Sequence, residues 1–267
     1  MKLCFYGDIE LEESDIDIEE LLKGACDYQG ESMASRERAS VKYRAKETDE
    51  ESYFDITLSN ADKLSLNTEL ITDRFLEKNT SEKVSVFPML ADRTVVARPS
   101  SPLTILAGEK IQLFVSTPIW FYAETVPQGK CLVDVPFWRP SDSWFGASTI
   151  DGQLCYAKYT SAKTVLEELN LFAHRATTPI TVINSHHKAL TINRMNVPVN
   201  YLNLYSDDKN QFWTSKISIE RENESDEVEL IIEKSLSGAI NPLVPIGRAR
   251  LTSVHGKLIR SISNLFG

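Results

Sequence analysis

An alternation of apolar and polar residues is the feature that most constrains the fold of this chain. In the segment ASVKYRAK, the residues Val41, Tyr43 and Ala45 alternate with basic residues. Successive side chains of a β strand point to opposite faces, so this segment predicts a strand with one buried and one solvated face. The polar run ETDEES follows, and FDITL then alternates again. Together the two segments predict a β hairpin.

The same alternation occurs along the rest of the chain, with turn residues between the alternating segments. Alternating segments occur at 180–183, 213–220 and 227–233, and prolines punctuate the region 88–118. Proline cannot donate a hydrogen bond to a strand ladder, so these prolines mark strand ends or edges. Many short strands with polar turns are typical of an antiparallel sandwich or barrel. We therefore predict a mostly β protein, an antiparallel β sandwich of two packed subdomains with a short C-terminal helix.

Composition and charge divide the chain into three predicted parts. We expect an N-terminal β subdomain with an acidic segment at 1–98, a main β-sandwich domain at 99–240 and a basic amphipathic segment at 241–267. The net charge of −9 argues against a nucleic-acid partner, because phosphate binding requires a basic surface. Acidic residues concentrate near the N-terminus, whereas none follows Lys234. This asymmetry indicates either an interaction tail or two ends that attract each other within one fold.

The C-terminal segment GRARLTSVHGKLIRSISNLFG combines basic residues with an apolar stripe. The spacing of its apolar residues predicts a short amphipathic helix. Such a helix can dock on a partner or touch a membrane surface, or it can pack on its own domain. The residues predicted to interact are four basic and three apolar ones: Arg248, Arg250, Lys257, Arg260, Leu258, Ile262 and Phe266.

Cysteine usage and the N-terminus predict a cytoplasmic protein with reduced thiols. No two cysteines have the close spacing of a zinc site or a redox pair. The N-terminus turns acidic at once, unlike a signal peptide, and no stretch reaches the ~20 apolar residues of a membrane span. Each cysteine is expected to be buried as a small apolar residue.

Motifs for catalysis or cofactor binding are missing from the sequence. There is no GxSxG elbow, no Walker loop and no dinucleotide fingerprint. The adjacent His186 and His187 lack the spacing of metal ligands, because neighbouring side chains point apart. We therefore predict no cofactor, no metal and a protein that is not an enzyme.

The segment PFWRPSDSWFGASTIDGQLCYAKY at 136–159 concentrates aromatic and polar residues. Such a mixture is typical of a binding pocket, and equally of a long loop packed between sheets. We predict that Arg139 pairs with Asp142, that the Trp144 indole N–H closes the loop onto backbone, and that Cys155 is buried in a strand. The candidate binding residues are aromatic or polar: Trp138, Arg139, Asp142, Trp144, Phe145, Thr149, Asp151 and Tyr156.

Several stretches between about 84 and 222 resemble the archaeal and bacterial proteins grouped as domain of unknown function 432. The most specific likeness lies in RPSDSWFG followed by GQLCYA, and the runs at 93–123, 178–205 and 211–222 fit as well. The resemblance implies no assigned activity. Its one functional implication is an association with small mechanosensitive channels.

These observations lead to three hypotheses about function. The first is a non-enzymatic protein-interaction or regulatory module, accessory to a membrane protein complex such as a mechanosensitive channel, which associates with a protein partner or with itself. It predicts an exposed apolar patch. The second is a small-molecule or glycan-binding protein or a hydrolase that uses the segment 136–159, and it predicts a pocket with convergent polar groups. In the third, the aromatic segment is buried and purely structural.

Overall fold

A computed structural model shows a mostly β protein. The structure describes residues 7–10, 16–17, 38–45, 51–60, 69–78, 83–136, 140–146, 148, 150–157, 161–169, 175–209, 211–222, 227–233, 243–252 and 256–266, with side chains from residue 84 onward. The chain forms two compact units. One contains residues 1–88 and 120–138, and the other contains 89–119 and 139–267.

The described elements are strands, two short 3₁₀ turns and one turn of α helix. In chain order the strands are β1 (Gly7–Glu10), β2 (Ile16–Asp17), β3 (Arg38–Ala45), β4 (Glu51–Asn60), β5 (Glu69–Lys78), β6 (Lys83–Leu90), β7 (Val95–Pro99), β8 (Leu103–Ile105), β9 (Lys110–Thr125), β10 (Cys131–Pro136), β11 (Asp142–Gly146), β12 (Gly152–Tyr156), β13 (Ser161–Lys163), β14 (Arg175–Asn184), β15 (Leu190–Ile192), β16 (Met195–Val197), β17 (Leu204–Ser206), β18 (Phe212–Thr214), β19 (Lys216–Arg221), β20 (Glu227–Glu233), β21 (Val244–Gly247) and β22 (Lys257–Ser261). The 3₁₀ turns are Leu166–Glu168 and Val199–Tyr201, and the helix α1 is Ile262–Phe266.

The first unit contains an antiparallel sheet in the order β2-β3-β4-β5. Its β3–β4 pair is the hairpin predicted from alternation, with Tyr43 opposite Phe54 and Val41 opposite Ile56. That prediction is confirmed, because the apolar positions of the two strands meet in register. In the same unit, β1 pairs with β6, and the C-terminal half of β9 pairs with β10.

The second unit contains a mixed sheet along the path β11-β12-β7-β13-β9-β14-β18-β17-β21. Strand β14 also pairs with β19, which continues through β20 to β22. The β12–β7, β13–β7, β14–β18 and β14–β19 pairs are parallel, so the prediction of an antiparallel sheet is wrong for them. Alternation reports which face of a strand is buried, but it carries no information on strand direction.

Burial in the second unit follows the alternation seen in the sequence. Val228 and Leu230 of β20 are buried, whereas the intervening Glu229 is half-exposed. On the neighbouring β19, Ile217 and Ile219 are buried in the same way. The turn predicted around Gly108 is also present, and its positive φ of 76° is a conformation that glycine adopts without steric cost.

The predicted amphipathic helix at the C-terminus is wrong over most of its length. Lys257–Ser261 is strand β22, which pairs antiparallel with β20 and places Leu258 opposite Leu230. Only Ile262–Phe266 is helical. The apolar residues Leu258 and Ile259 are adjacent in KLIRS, and a short helix alone is marginal in water. Pairing with β20 satisfies its backbone groups instead.

Each unit has a described cysteine that forms no disulfide. Cys155 is buried as predicted, whereas Cys131 is exposed, so the expectation of burial is wrong for Cys131. The other two cysteines, Cys4 and Cys26, lie outside the described residues. Over the same described ranges, no helix has the length and apolar composition needed to cross a membrane.

Candidate functional site

The most specific part of the aromatic segment folds as a β hairpin in the second unit. β11 and β12 pair antiparallel, with Asp142 opposite Tyr156 and Gly146 opposite Gly152. The Ser148 hydroxyl holds the turn, because it accepts hydrogen bonds from the backbone N–H groups of Ile150 and Asp151 at 3.2 and 2.9 Å. A Cβ at Gly146 would collide with the Asp151 carbonyl group, so the close approach requires glycine there.

The two faces of this hairpin have opposite environments. On the inner face, Phe145 and Cys155 are 1% and 0% exposed and pack with Val96 of β7. On the outer face, Trp144 and Leu154 lie directly opposite each other and are 44% and 48% exposed. An aromatic and an aliphatic side chain thus form an exposed cross-strand pair on a hairpin whose other face is anchored in the core.

The exposed indole of Trp144 is held in one place. Its Nε1 donates a hydrogen bond of 2.8 Å to the Ser148 carbonyl oxygen, which is the loop closure predicted from the sequence. A Cβ at Gly152 would lie 2.7 Å from two indole atoms, so the ring packs against the Gly152 backbone. Ile150, at the tip of the turn, is 88% exposed. The outer face is therefore apolar and rigid at Trp144.

A polar cluster lies at the open end of the hairpin. Arg93 Nη1 contacts Asp142 Oδ1 at 3.0 Å, and Arg93 Nε lies 3.6 Å from Asp92 Oδ2. The Tyr156 hydroxyl donates to Asp92 Oδ1 at 2.9 Å. Burial, and then the hydrogen bond to Asp92, raise the pKa of Tyr156 to about 12. The phenol therefore stays protonated at neutral pH and acts as a hydrogen-bond donor rather than a base.

The inner face does not present a reactive thiol. Burial raises the pKa of Cys155, and this outweighs the opposing effects of the Arg194 charge and a hydrogen bond to Ser143. The thiol donates to the Ser143 carbonyl oxygen at 3.3 Å. The thiolate is the nucleophilic form, and a raised pKa disfavours it. Cys155 is therefore a packed core residue, as predicted.

The structure brings the C-terminal helix to the same part of the sheet. Helix α1 contacts both β11 and β16. Val95 of β7 pairs with β12 on one side and with β16 on the other, so β12 and β7 lie between β11 and β16. Helix α1 thus lies close to the part of the sheet that carries the hairpin.

The predicted interaction residues of the C-terminal segment are distributed over several elements. Phe266 is buried, and Leu258 and Ile262 are half-buried. The Arg250 Nε donates to the Leu90 carbonyl oxygen at 2.7 Å, and Lys257 pairs with Glu229 at 2.6 Å. Arg248 is exposed, whereas Arg260 is half-buried on β22, where burial lowers its pKa. An interaction role for these residues stays a prediction.

Part of the predicted site lies outside the described residues. These positions are Trp138, Arg139 and Thr149. The Arg139–Asp142 pair therefore stays a prediction. Asp142 does pair with Arg93, a contact that sequence reasoning missed. Leu154 was also missed. Its position opposite Trp144 follows only from the register of the hairpin.

The described side chains include no group of three or more His, Cys, Asp or Glu residues that converges to hold a metal ion. The polar atoms of the hairpin are instead engaged in local hydrogen bonds and ion pairs. The described geometry thus presents an exposed surface with a hydrogen-bonded aromatic ring, flanked by the exposed carboxylates of Asp142 and Asp151.

Comparison with known proteins gives a family without an assigned activity. No curated protein and no solved structure matches the chain. Residues 5–260 match the family described as Protein of unknown function (DUF432). Because this match covers nearly the whole chain, the chain belongs to the DUF432 family.

Proposed function

We propose that this chain is a protein-interaction module that binds its partner through the outer face of the β11–β12 hairpin. The observation that carries the proposal is the exposed Trp144–Leu154 pair on a hairpin anchored through Phe145. Residues that dominate binding energy are enriched in tryptophan, and they act best in a preorganised surface. The Nε1 bond to Ser148 supplies that preorganisation, since the ring has little freedom left to lose on binding.

The partner class to test first is a membrane protein complex such as a mechanosensitive channel, because the family resemblance implies it. An exposed apolar pair with charged neighbours suits a partner that is itself partly apolar. The module would act without catalysis, by occupying a surface of the complex or by holding it in one state.

Capture of the partner complex from detergent-solubilised native cells tests this proposal. The full chain is compared with Trp144→Ala and with the matched control Ile259→Ala, which removes a 70% exposed apolar side chain elsewhere in the same unit. The expected result is one complex recovered with the full chain and the control, and lost with Trp144→Ala. Equal recovery with Trp144→Ala, from protein that unfolds at the same temperature, would refute the hairpin as the binding surface.

A glycan or small-molecule ligand is the second candidate. It is favoured by the flat indole beside the exposed carboxylate of Asp142, a combination of apolar and polar groups that ligand sites use. Quenching of tryptophan fluorescence by a panel of oligosaccharides, compared between the full chain and Trp144→Phe, tests it. Saturable quenching that Trp144→Phe removes would favour this candidate over a protein partner.

A further inference from the structure

Charged residues on the strands β19, β20 and β22 are sorted by the two faces of their sheet. On one face, which we call the charged face, Lys216 Nζ pairs with Glu233 at 3.1 Å and Lys257 Nζ pairs with Glu229 at 2.6 Å. The register of the three strands places the alternate residues on the opposite face. We call it the apolar face, because it is apolar except for two arginines: Ile217, Ile219, Arg221, Val228, Leu230, Ile232, Leu258 and Arg260. The carboxylates of these strands therefore all lie on the other face from the two arginines.

The two arginines of the apolar face flank one buried valine. Arg221 on β19 lies directly opposite Val228 on β20, and Val228 lies directly opposite Arg260 on β22. Residues directly opposite each other in an antiparallel pair project to the same face. The Cα atoms of the two arginines are therefore about 10 Å apart, which is twice the spacing between neighbouring strands. Side chains as long as arginine can bring both guanidinium groups to one ion across that separation.

The described side chains do not balance the charge of these two arginines. Within the described ranges, neither Arg221 nor Arg260 forms an ion pair with a carboxylate, and Arg221 Nε is buried without a hydrogen-bond partner. Burial lowers the pKa of Arg260, with the nearby Tyr201 acting in the opposite direction. Both arginines are only half-buried, so an ion from solvent can reach them. Two like charges on one apolar face repel each other and lose part of their hydration, so binding of an anion between them would be favourable.

We propose that Arg221 and Arg260 form a binding site for a phosphate group, either as the free anion or as the ester of a small molecule. A guanidinium group donates two parallel hydrogen bonds that match two oxygens of an oxyanion. A carboxylate has only two oxygens, enough for one such fork, whereas a phosphate group has oxygens for two forks at once. The inference goes beyond the proposed function, because neither arginine lies on the β11–β12 hairpin.

Titration calorimetry of the full chain with inorganic phosphate, at constant ionic strength in chloride, tests the site. We expect saturable binding of one phosphate per chain. Arg221→Gln and Arg260→Gln remove the charge and keep a polar side chain, and each should weaken binding at least ~10-fold, about the effect of losing one charge-assisted hydrogen bond. The matched control is Arg98→Gln, which removes the same charge from an exposed position on β7 in the same unit and should bind like the full chain.

Thermal unfolding supplies a second measurement, which separates a binding role from a structural one. Phosphate strengthens apolar burial in any protein, so it should raise the unfolding temperature of every variant to some extent. Specific binding adds a further rise through mass action. This further rise should appear in the full chain and in Arg98→Gln, and should be absent from Arg221→Gln and Arg260→Gln. An equal rise in all four proteins would mean that the two arginines are structural.

Comparison ligands identify the source of the phosphate group and test the choice of phosphate. Tighter binding of glycerol 3-phosphate than of inorganic phosphate would assign an ester, and the reverse would assign the free anion. Acetate, which offers two oxygens, should bind more weakly than both. The inference would be overturned by no saturable binding of either phosphate compound, by equal affinity of Arg221→Gln or Arg260→Gln and the full chain, by an equal loss of affinity in Arg98→Gln, or by acetate binding as tightly as phosphate.

Discussion

The β11–β12 hairpin and the C-terminal segment 257–266 mix apolar and charged residues in similar proportion, yet they use their apolar residues differently. In the hairpin, Trp144 and Leu154 remain exposed, although the adjacent Phe145 and Cys155 are buried. In the C-terminal segment, Leu265 and Phe266 are buried within their own unit. An amphipathic pattern therefore shows that an apolar face exists, but not what covers it.

The difference has a physical origin in the neighbours that each segment meets. The C-terminal segment pairs with β20, and its helix contacts β11 and β16, where Leu265 and Phe266 are buried. The hairpin uses Phe145 and Cys155 to anchor one face. On its other face, Trp144 and Leu154 are 44% and 48% exposed.

Phe266→Ala is expected to have the largest effect on stability. Removing a buried phenylalanine costs about 3 kcal/mol or more through lost transfer energy and the cavity left behind. Urea unfolding, compared with the full chain, measures the change. A loss below about 1 kcal/mol would mean that the C-terminal segment is as dispensable to the fold as the outer face of the hairpin, and the contrast between them would fail.

Gly152→Ala is expected to destabilise the hairpin by about 2 kcal/mol, because overpacking forces the backbone or the indole to move. The added Cβ would lie 2.7 Å from both the Phe145 carbonyl oxygen and the Trp144 ring. Near-ultraviolet circular dichroism and urea unfolding report the two consequences. The neighbouring Gln153→Ala is the control, and an equal response of the two variants would contradict a fixed indole.

Tyr156→Phe tests the polar end of the hairpin and depends on pH. Near pH 8 the variant should be less stable by about 1 kcal/mol, the net value of one hydrogen bond. Because the folded pKa is raised from about 10 to about 12, the contribution of Tyr156 is fully present below pH 10 and is lost as pH rises toward 12. Urea unfolding measures the difference in unfolding free energy between the unmodified chain and Tyr156→Phe near pH 8 and near pH 11. This difference should be smaller near pH 11, whereas an unchanged difference would contradict the raised pKa of Tyr156.

Ile259→Ser tests the exposed side of the C-terminal segment and should have the smallest effect on the unfolding free energy. This residue is 70% exposed on β22, so its replacement should change the unfolding free energy by less than about 0.5 kcal/mol. Urea unfolding again provides the measurement. A loss above about 1 kcal/mol would show that the outer side of β22 is covered, and that the C-terminal segment is anchored on both faces.

Sequence patterns anticipated the local structure well where a single strand or turn decides it. The alternation at Val228 and Leu230, the hairpin of Tyr43 and Phe54, and the burial of Cys155 all follow from the period-two pattern. Parallel pairing and the strand at Lys257–Ser261 did not follow. Both depend on which distant strand lies beside them, and side-chain periodicity does not encode that neighbour.

The sequence by itself determined a mostly β chain, the faces on which its strands bury apolar residues, and the bond by which Trp144 closes its own loop. These features depend on groups within a few residues of one another, so local chemistry is sufficient. Only the tertiary structure decided that Asp142 pairs with Arg93, 49 residues away, and that the C-terminal helix contacts β11 of the hairpin. It alone left Trp144 and Leu154 exposed, because exposure is a property of the whole packed surface rather than of any one segment.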